Sequence, residues 1–189
     1  MTPPAPPASP RPGPPAAPTR YVVATLCFLF DAEGRVLLLE RSRPPNRNLH
    51  SPIGGKLETA IGESPAACAA REIHEEAGVT VDAADLHLAG VVSESDFPGV
   101  GHLLMFLYEV TRPVAVPPGA IDEGRLAWHA PEDLPGLAVP QTDREVIWPL
   151  FLANRGGFFA AHIDLAGGRL RWRLEAGLPA AGGTPEPGD

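Results

Sequence analysis

Glu72, Glu75 and Glu76 lie in a stretch of this 189-residue chain that reads as a helix. At about 100° per residue the three carboxylates share an arc of about 100° on one side of it. Like charges so close repel one another, raise each other's pKa and weaken the helix unless a cation neutralises them. Hard carboxylate oxygens at this density suit Mg²⁺ or Mn²⁺. The alternative is a solvated charged face. Such faces gain stability by alternating sign at i, i+4, whereas here Arg71 alone is positive beside the cluster.

The elements that must position these groups follow from local pattern. Ser64 can cap the free N–H groups of a helix start, Pro65 fits its first position, and Gly78 supplies the stop. Between them Ala66, Ala70, Ile73 and Ala77 recur at helical spacing, so they are expected to pack on a sheet with the charges on the opposite face. Tyr21 to Phe30 reads as a buried strand that turns at Asp31-Ala32-Glu33-Gly34 and returns as Val36 to Glu40, a hairpin. Arg43 to His50 is a loop, and Ser51 to Glu58 is extended, with Gly54-Gly55 allowing close backbone approach. Leu86 to Val92 and His102 to Val110 read as strands separated by a polar loop, and Leu126 to His129 as a further short strand. Gln141 to Asn154 reads as a second helix, and Phe158 to Asp164 with Arg169 to Glu175 as a closing hairpin. The class is mixed α and β.

Composition bounds the rest. Residues 1–18 hold nine of the 24 prolines and residues 176–189 are mostly Gly, Pro and Ala, so both ends are expected to be disordered tails around one domain at 19–175. P-x-x-P spacings occur in the first tail, and a proline-dense segment meets that spacing by chance. The net charge of −8 argues against a nucleic-acid polymer as partner. The longest apolar stretch, Tyr21 to Phe30, is too short for a membrane helix, and no signal-peptide pattern opens the chain; a cytoplasmic protein is expected. Cys27 and Cys68 lack CxxC spacing and read as reduced, space-filling thiols.

Residues 55–79, GKLETAIGESPAACAAREIHEEAGV, resemble the Nudix box: Gly, five residues, Glu, seven residues, Arg-Glu, an aliphatic, any residue, Glu-Glu, any residue, Gly, an aliphatic. Glu63, Arg71, Glu72, Ile73, Glu75, Glu76, Gly78 and Val79 match in identity and spacing. One departure lies before the helix: seven residues separate Gly55 from Glu63, because Thr59-Ala60-Ile61 replaces a single residue. The resemblance implies a Nudix α/β/α sandwich, a mixed β-sheet between helices. It implies Mg²⁺, with Mn²⁺ as substitute, bound by Glu72, Glu75, Glu76 and the Gly55 carbonyl. The catalytic base is then Glu72 or Glu76, and Arg71 orients the glutamates. Glu63 ligates metal, bonds the arginine or lies toward substrate.

Beyond the box, WHAPEDL, PQTDREVIWPLFL and GGFFAAHIDLAGGRLRWRLE are similar to the carboxy-terminal half of the 8-oxo-dGTP diphosphatase type, which extends the resemblance over Tyr21 to Glu175. It implies that Glu123 joins the metal cluster and that Asp143 hydrogen-bonds a purine edge. Ser51, in His50-Ser51, stands where that type often has Trp-Asn, so Ser51 is a substrate-side candidate without the asparagine amide. The implied reaction is hydrolysis of a nucleoside diphosphate-X bond in a small nucleotide, a purine triphosphate giving monophosphate and pyrophosphate. The rival readings are a Nudix hydrolase of dinucleotides or nucleotide sugars, a Nudix-fold nucleotide-binding module without catalysis, and a scaffold acting through its tail. The loop from Leu38 to Gly55 is partly similar to coenzyme A diphosphatases, and the array of the NADH diphosphatases is missing. Neither spacing nor resemblance chooses between monomer and homodimer.

Overall fold

The computed structural model describes residues 20–180. The expected amino-terminal tail, 1–18, lies outside them, as does 181–189. Residues 176–179 are exposed and Ala180 is buried. The Asn154 amide donates to the Leu178 carbonyl and its oxygen accepts the Leu178 N–H.

A five-stranded mixed sheet forms the centre, in the order β1-β5-β4-β8-β9. These strands are β1 (Tyr21–Phe28), β4 (Leu86–Phe97), β5 (Gly101–Val110), β8 (Phe159–Asp164) and β9 (Arg171–Ala176). β1 pairs with β5 and β4 with β8 in parallel, while β4–β5 and β8–β9 are antiparallel. A second, antiparallel sheet has the order β3-β2-β7-β6, from β2 (Val36–Arg41), β3 (His50–Ser51), β6 (Gly119–Ile121) and β7 (Gly124–His129).

The expected β1–β2 hairpin is therefore corrected. The turn forms, with the Asp31 carboxylate accepting from the Glu33 and Arg35 N–H groups, and Phe30 bridges Val36. The strands then part into different sheets because both edges of β1 are occupied: β5 takes one, and residues 53–56 take the other through bridges from Ile53 to Cys27 and Lys56 to Ala24.

Alternation along β1 builds a core on each face. Phe28 and Phe30 join Trp148 and Phe151, and Cys27 and Leu29 join Ala69 and Ile73. Phe28 stacks on Phe151 at a centroid distance of 3.9 Å. Ala69 and Ile73 belong to α1 (Pro65–Ala77), bounded as expected: the Ser64 hydroxyl caps the Ala67 N–H, and Gly78 adopts φ 69° where its N–H bonds the His74 carbonyl. Its buried face is rotated from the expected one, centring on Cys68, Ala69, Ile73 and Glu76. The charges are consequently not opposite the sheet. Glu76 points into the packed side and Glu72 flanks it.

The second helix opens with a π-helical turn, Asp143–Ile147, and continues as α2 (Trp148–Ala153). Pro149 explains the wide turn, since its ring would clash with the carbonyl four residues back; the chain widens and the Trp148 N–H bonds the Asp143 carbonyl, five residues back. β4 also departs from expectation. It runs on through Ser93–Asp96, read above as loop, and carries a bulge between Leu88 and Gly90. Leu88 packs with the α1-side core, whereas Val92, paired with Met105, packs on the α2 side. The extra residue reverses which face the later side chains meet.

Candidate active site

Arg71 organises the acidic face. Its Nε donates to Glu63 Oε1 at 2.8 Å and Nη2 to Glu63 Oε2 at 3.1 Å, a bidentate pair. Nη1 donates to Glu72 Oε1 at 2.7 Å and Glu75 Oε2 at 3.1 Å, and Nη2 also reaches the Lys56 carbonyl. The guanidinium is thereby committed to positioning. Glu63 also accepts the Glu58 N–H at 2.8 Å, across the inserted Thr59–Ile61 turn. The hydrogen bonds from Arg71, then from the Glu58 backbone, hold its carboxyl down to about 2. Of the roles open to Glu63, the structure shows the arginine-bonding one. Both its oxygens are engaged, one by the Arg71 Nε and the other by Arg71 Nη2 and the Glu58 N–H.

Glu76 is the buried member, 8% exposed. One oxygen accepts the Gly54 N–H at 3.0 Å, and Oε1 is buried without a partner among the described residues. Burial first, then the charges of Glu123 and Glu72, push its carboxyl up to about 8 against the opposing Gly54 bond. Burial also raises Glu72, against the pull of Arg71. Glu75, with a side chain 55% exposed, stands at the outer rim. Glu123 sits in the tight turn between β6 and β7, within 3.7 Å of Arg41.

The Gly55 carbonyl accepts the Thr25 N–H of β1 at 2.8 Å. Its missing side chain also makes room: a Cβ there would overlap the Glu72 carboxylate.

Among the described residues no three Asp, Glu, His or Cys side chains enclose a cation-sized point. Arg71 draws Glu63, Glu72 and Glu75 to itself and supplies their counter-charge. The donor chemistry nevertheless fits a hard divalent cation, being all carboxylate oxygens with one buried and unpartnered.

A cavity of about 500 Å³ opens beside this cluster. Glu72, Glu123, Gly54, Gly55 and Arg41 line it, as do Ser51 and Asp143, so the structure gathers these sequence-derived candidates around one space, with Glu63, Arg71, Glu75 and Glu76 outside its lining. Leu26, Leu103 and Met105 add apolar surface. Asp143 opens the π-helical turn at 7% exposure, and burial pushes its carboxyl up to about 7. Sequence reasoning missed Glu94, a buried β4 residue in the same wall. Its signal was faint, an acid inside a polar run that reads as loop. It also missed Arg41, whose position at the end of β2 beside a proline loop carries no motif.

A helix bearing a carboxylate row against a mixed sheet, with a loop glycine yielding space to one carboxylate, defines a Nudix-type site. Residues 20–150 match the family described as NUDIX domain, and the chain belongs to that family. That family works with divalent cations. The chain is 32% identical over 126 residues to the NAD-capped RNA hydrolase NudC of Stutzerimonas stutzeri (strain A1501), covering 66% of this chain and 42% of that protein. It is 34% identical over 101 residues to an octanoyltransferase of Myxococcus xanthus, covering 53% of this chain and 22% of that protein. The chain thus spans less than half the length of either relative. Among solved structures, a MutT protein from Bacillus halodurans superposes with a TM-score of 0.65 at 24% identity over 82% of this chain and 97% of that one. A MutT NUDIX hydrolase from Burkholderia pseudomallei gives 0.55 at 25% identity over 67% and 95%. No helix of the described residues is long and apolar enough to cross a membrane.

Proposed function

We propose that the chain hydrolyses a nucleoside diphosphate-X substrate with Mg²⁺, a purine nucleoside triphosphate giving monophosphate and pyrophosphate. The observation that carries this reading is the single cavity shared by Glu72, Glu123 and Asp143. It offers a polyphosphate a carboxylate-rich wall and a base a buried polar group. Glu72, Glu75, Glu76 and Glu123 would hold the cation, which when bound neutralises the polyphosphate and lowers the pKa of a water. Arg71 keeps the glutamates in place, and Glu72 or Glu76 accepts the proton as the water oxygen bonds to phosphorus and the bridging P–O bond breaks. Ser51 lines the same cavity as a further substrate contact.

The NudC relative favours a second reading, a dinucleotide pyrophosphate as substrate. Hydrolysis of a panel of triphosphates, NADH, ADP-ribose and nucleotide sugars with Mg²⁺, scoring pyrophosphate separately from phosphate, decides between them. Purine triphosphates are expected to lead and to release pyrophosphate. Faster cleavage of NADH or ADP-ribose than of any triphosphate would overturn the substrate assignment. Tight binding without hydrolysis of anything would identify a binding module.

A further inference from the structure

Glu94 comes from β4 and Asp143 from the π-helical turn, and both line the cavity. Glu94 is 1% exposed, and neither of its carboxylate oxygens has a hydrogen-bond partner among the described residues. Asp143 accepts from the Thr142 hydroxyl at 3.4 Å. That hydroxyl also lies near Glu94 but has only one hydrogen to give. The protein therefore buries two mutually repelling carboxyls and leaves at least one without a donor. Such an arrangement opposes folding and calls for a ligand that completes it.

The Nudix box does not account for Glu94. The box glutamates are on α1, whereas Glu94 pairs with Leu103, a residue packed against the α2-side core. Leu26 and Met105 line the same cavity and give it apolar surface suited to the face of a base.

We propose that Glu94 is a specificity-determining residue that forms, with Asp143, a two-carboxyl notch for the guanine edge of a nucleotide. One carboxyl, ionised, accepts from N1–H and the exocyclic N2–H; the other, protonated, donates to O6. This rests on the reading of the site as a nucleotide hydrolase and adds the base. Burial raises both carboxyls to about 7, so near neutrality the pair readily holds a single proton between them. Three ligand groups then meet three protein groups with no charge left bare. Adenine, with an acceptor at N1 and a donor at N6, uses only the protonated carboxyl and leaves the other buried and unpaired. Hypoxanthine keeps N1–H and O6 but lacks the N2 donor.

The test is calorimetric titration of the full chain with GMP, IMP and AMP without metal, beside kcat/KM for dGTP, dITP and dATP with Mg²⁺. GMP is expected to bind about 10-fold tighter than IMP and about 100-fold tighter than AMP, one and two mismatched buried groups respectively. Glu94→Gln should bring the GMP-to-IMP ratio close to one and leave the melting temperature unchanged or higher, because a buried amide costs less than a buried ionisable group. Asp143→Asn, at the carboxyl facing O6, should instead lower the GMP-to-AMP ratio. A guanine preference that survives in both variants, or affinities that fall equally for all three bases, would overturn the notch. Triphosphate hydrolysis by the unmodified chain without guanine preference would overturn it while the nucleotide-hydrolase reading stands. Absence of both binding and hydrolysis across the panel would remove both.

Discussion

Replacing Glu76 by Gln probes charge at constant shape. The carboxyl is 8% exposed, and its folded value near 8 lies far above the ordinary 4.5. A carboxyl raised in this way favours the fold while protonated: its contribution is full below pH 4.5 and is lost as pH rises toward 8. Each unit of that interval costs about 1.4 kcal/mol, so the metal-free protein should lose a few kcal/mol from this group between pH 5 and pH 8. At about 2–4 °C per kcal/mol for a chain of this size, the melting temperature falls by roughly 5–15 °C. Glutamine cannot ionise, and its amide oxygen can still accept the Gly54 N–H. Calorimetry in the presence of a chelator should show a shallower decline for the variant, with the residual slope coming from Glu72, Glu94 and Asp143, which are raised in the same sense. Turnover with Mg²⁺ should fall by about 10²- to 10⁴-fold through loss of a metal ligand or base. A variant with the pH slope of the unmodified protein, or with turnover within about threefold of it, would refute the reasoning.

Gly55→Ala places a methyl against the Glu72 carboxylate, so the Mg²⁺ concentration for half-maximal activity should rise about 10-fold or more while the fold persists; an unchanged Mg²⁺ titration would contradict the close approach. Arg71→Lys keeps the charge but loses the fork that grips Glu63 and braces Glu72, and turnover should drop about 10- to 100-fold, measured against circular dichroism as a control for folding. Replacing Thr59-Ala60-Ile61 by one residue should leave turnover within about threefold. Ile61 is 74% exposed, the Glu58 N–H to Glu63 bond spans the turn, and loop closure changes by only tenths of a kcal/mol. Loss of activity in a folded variant would show that the turn itself positions Gly55 or substrate.

The helix and the spacing of its carboxylates were legible because their determinants are local. Ser64, Pro65 and Gly78 set the ends of α1 through backbone groups within a turn of each, and the angular spacing of Glu72, Glu75 and Glu76 follows from helix geometry alone. The mixed class and the closing hairpin were equally visible, since alternation and turn glycines act over a few residues. The rest depended on competition between distant segments. Whether β1 would pair with β2 was decided by β5 and residues 53–56, which claimed both of its edges. Which way α1 would roll was decided by the sheet beneath it, and that rotation buried Glu76. Glu94 illustrates the limit most clearly. A single extra residue at the β4 bulge reverses the faces of the strand, carrying an acid from a polar run into the wall of the cavity beside Asp143. The sequence determines which residues can ionise and which lie one helical turn apart; only the packing of strands and helices determines which of those groups lose their water, and so which acquire perturbed chemistry.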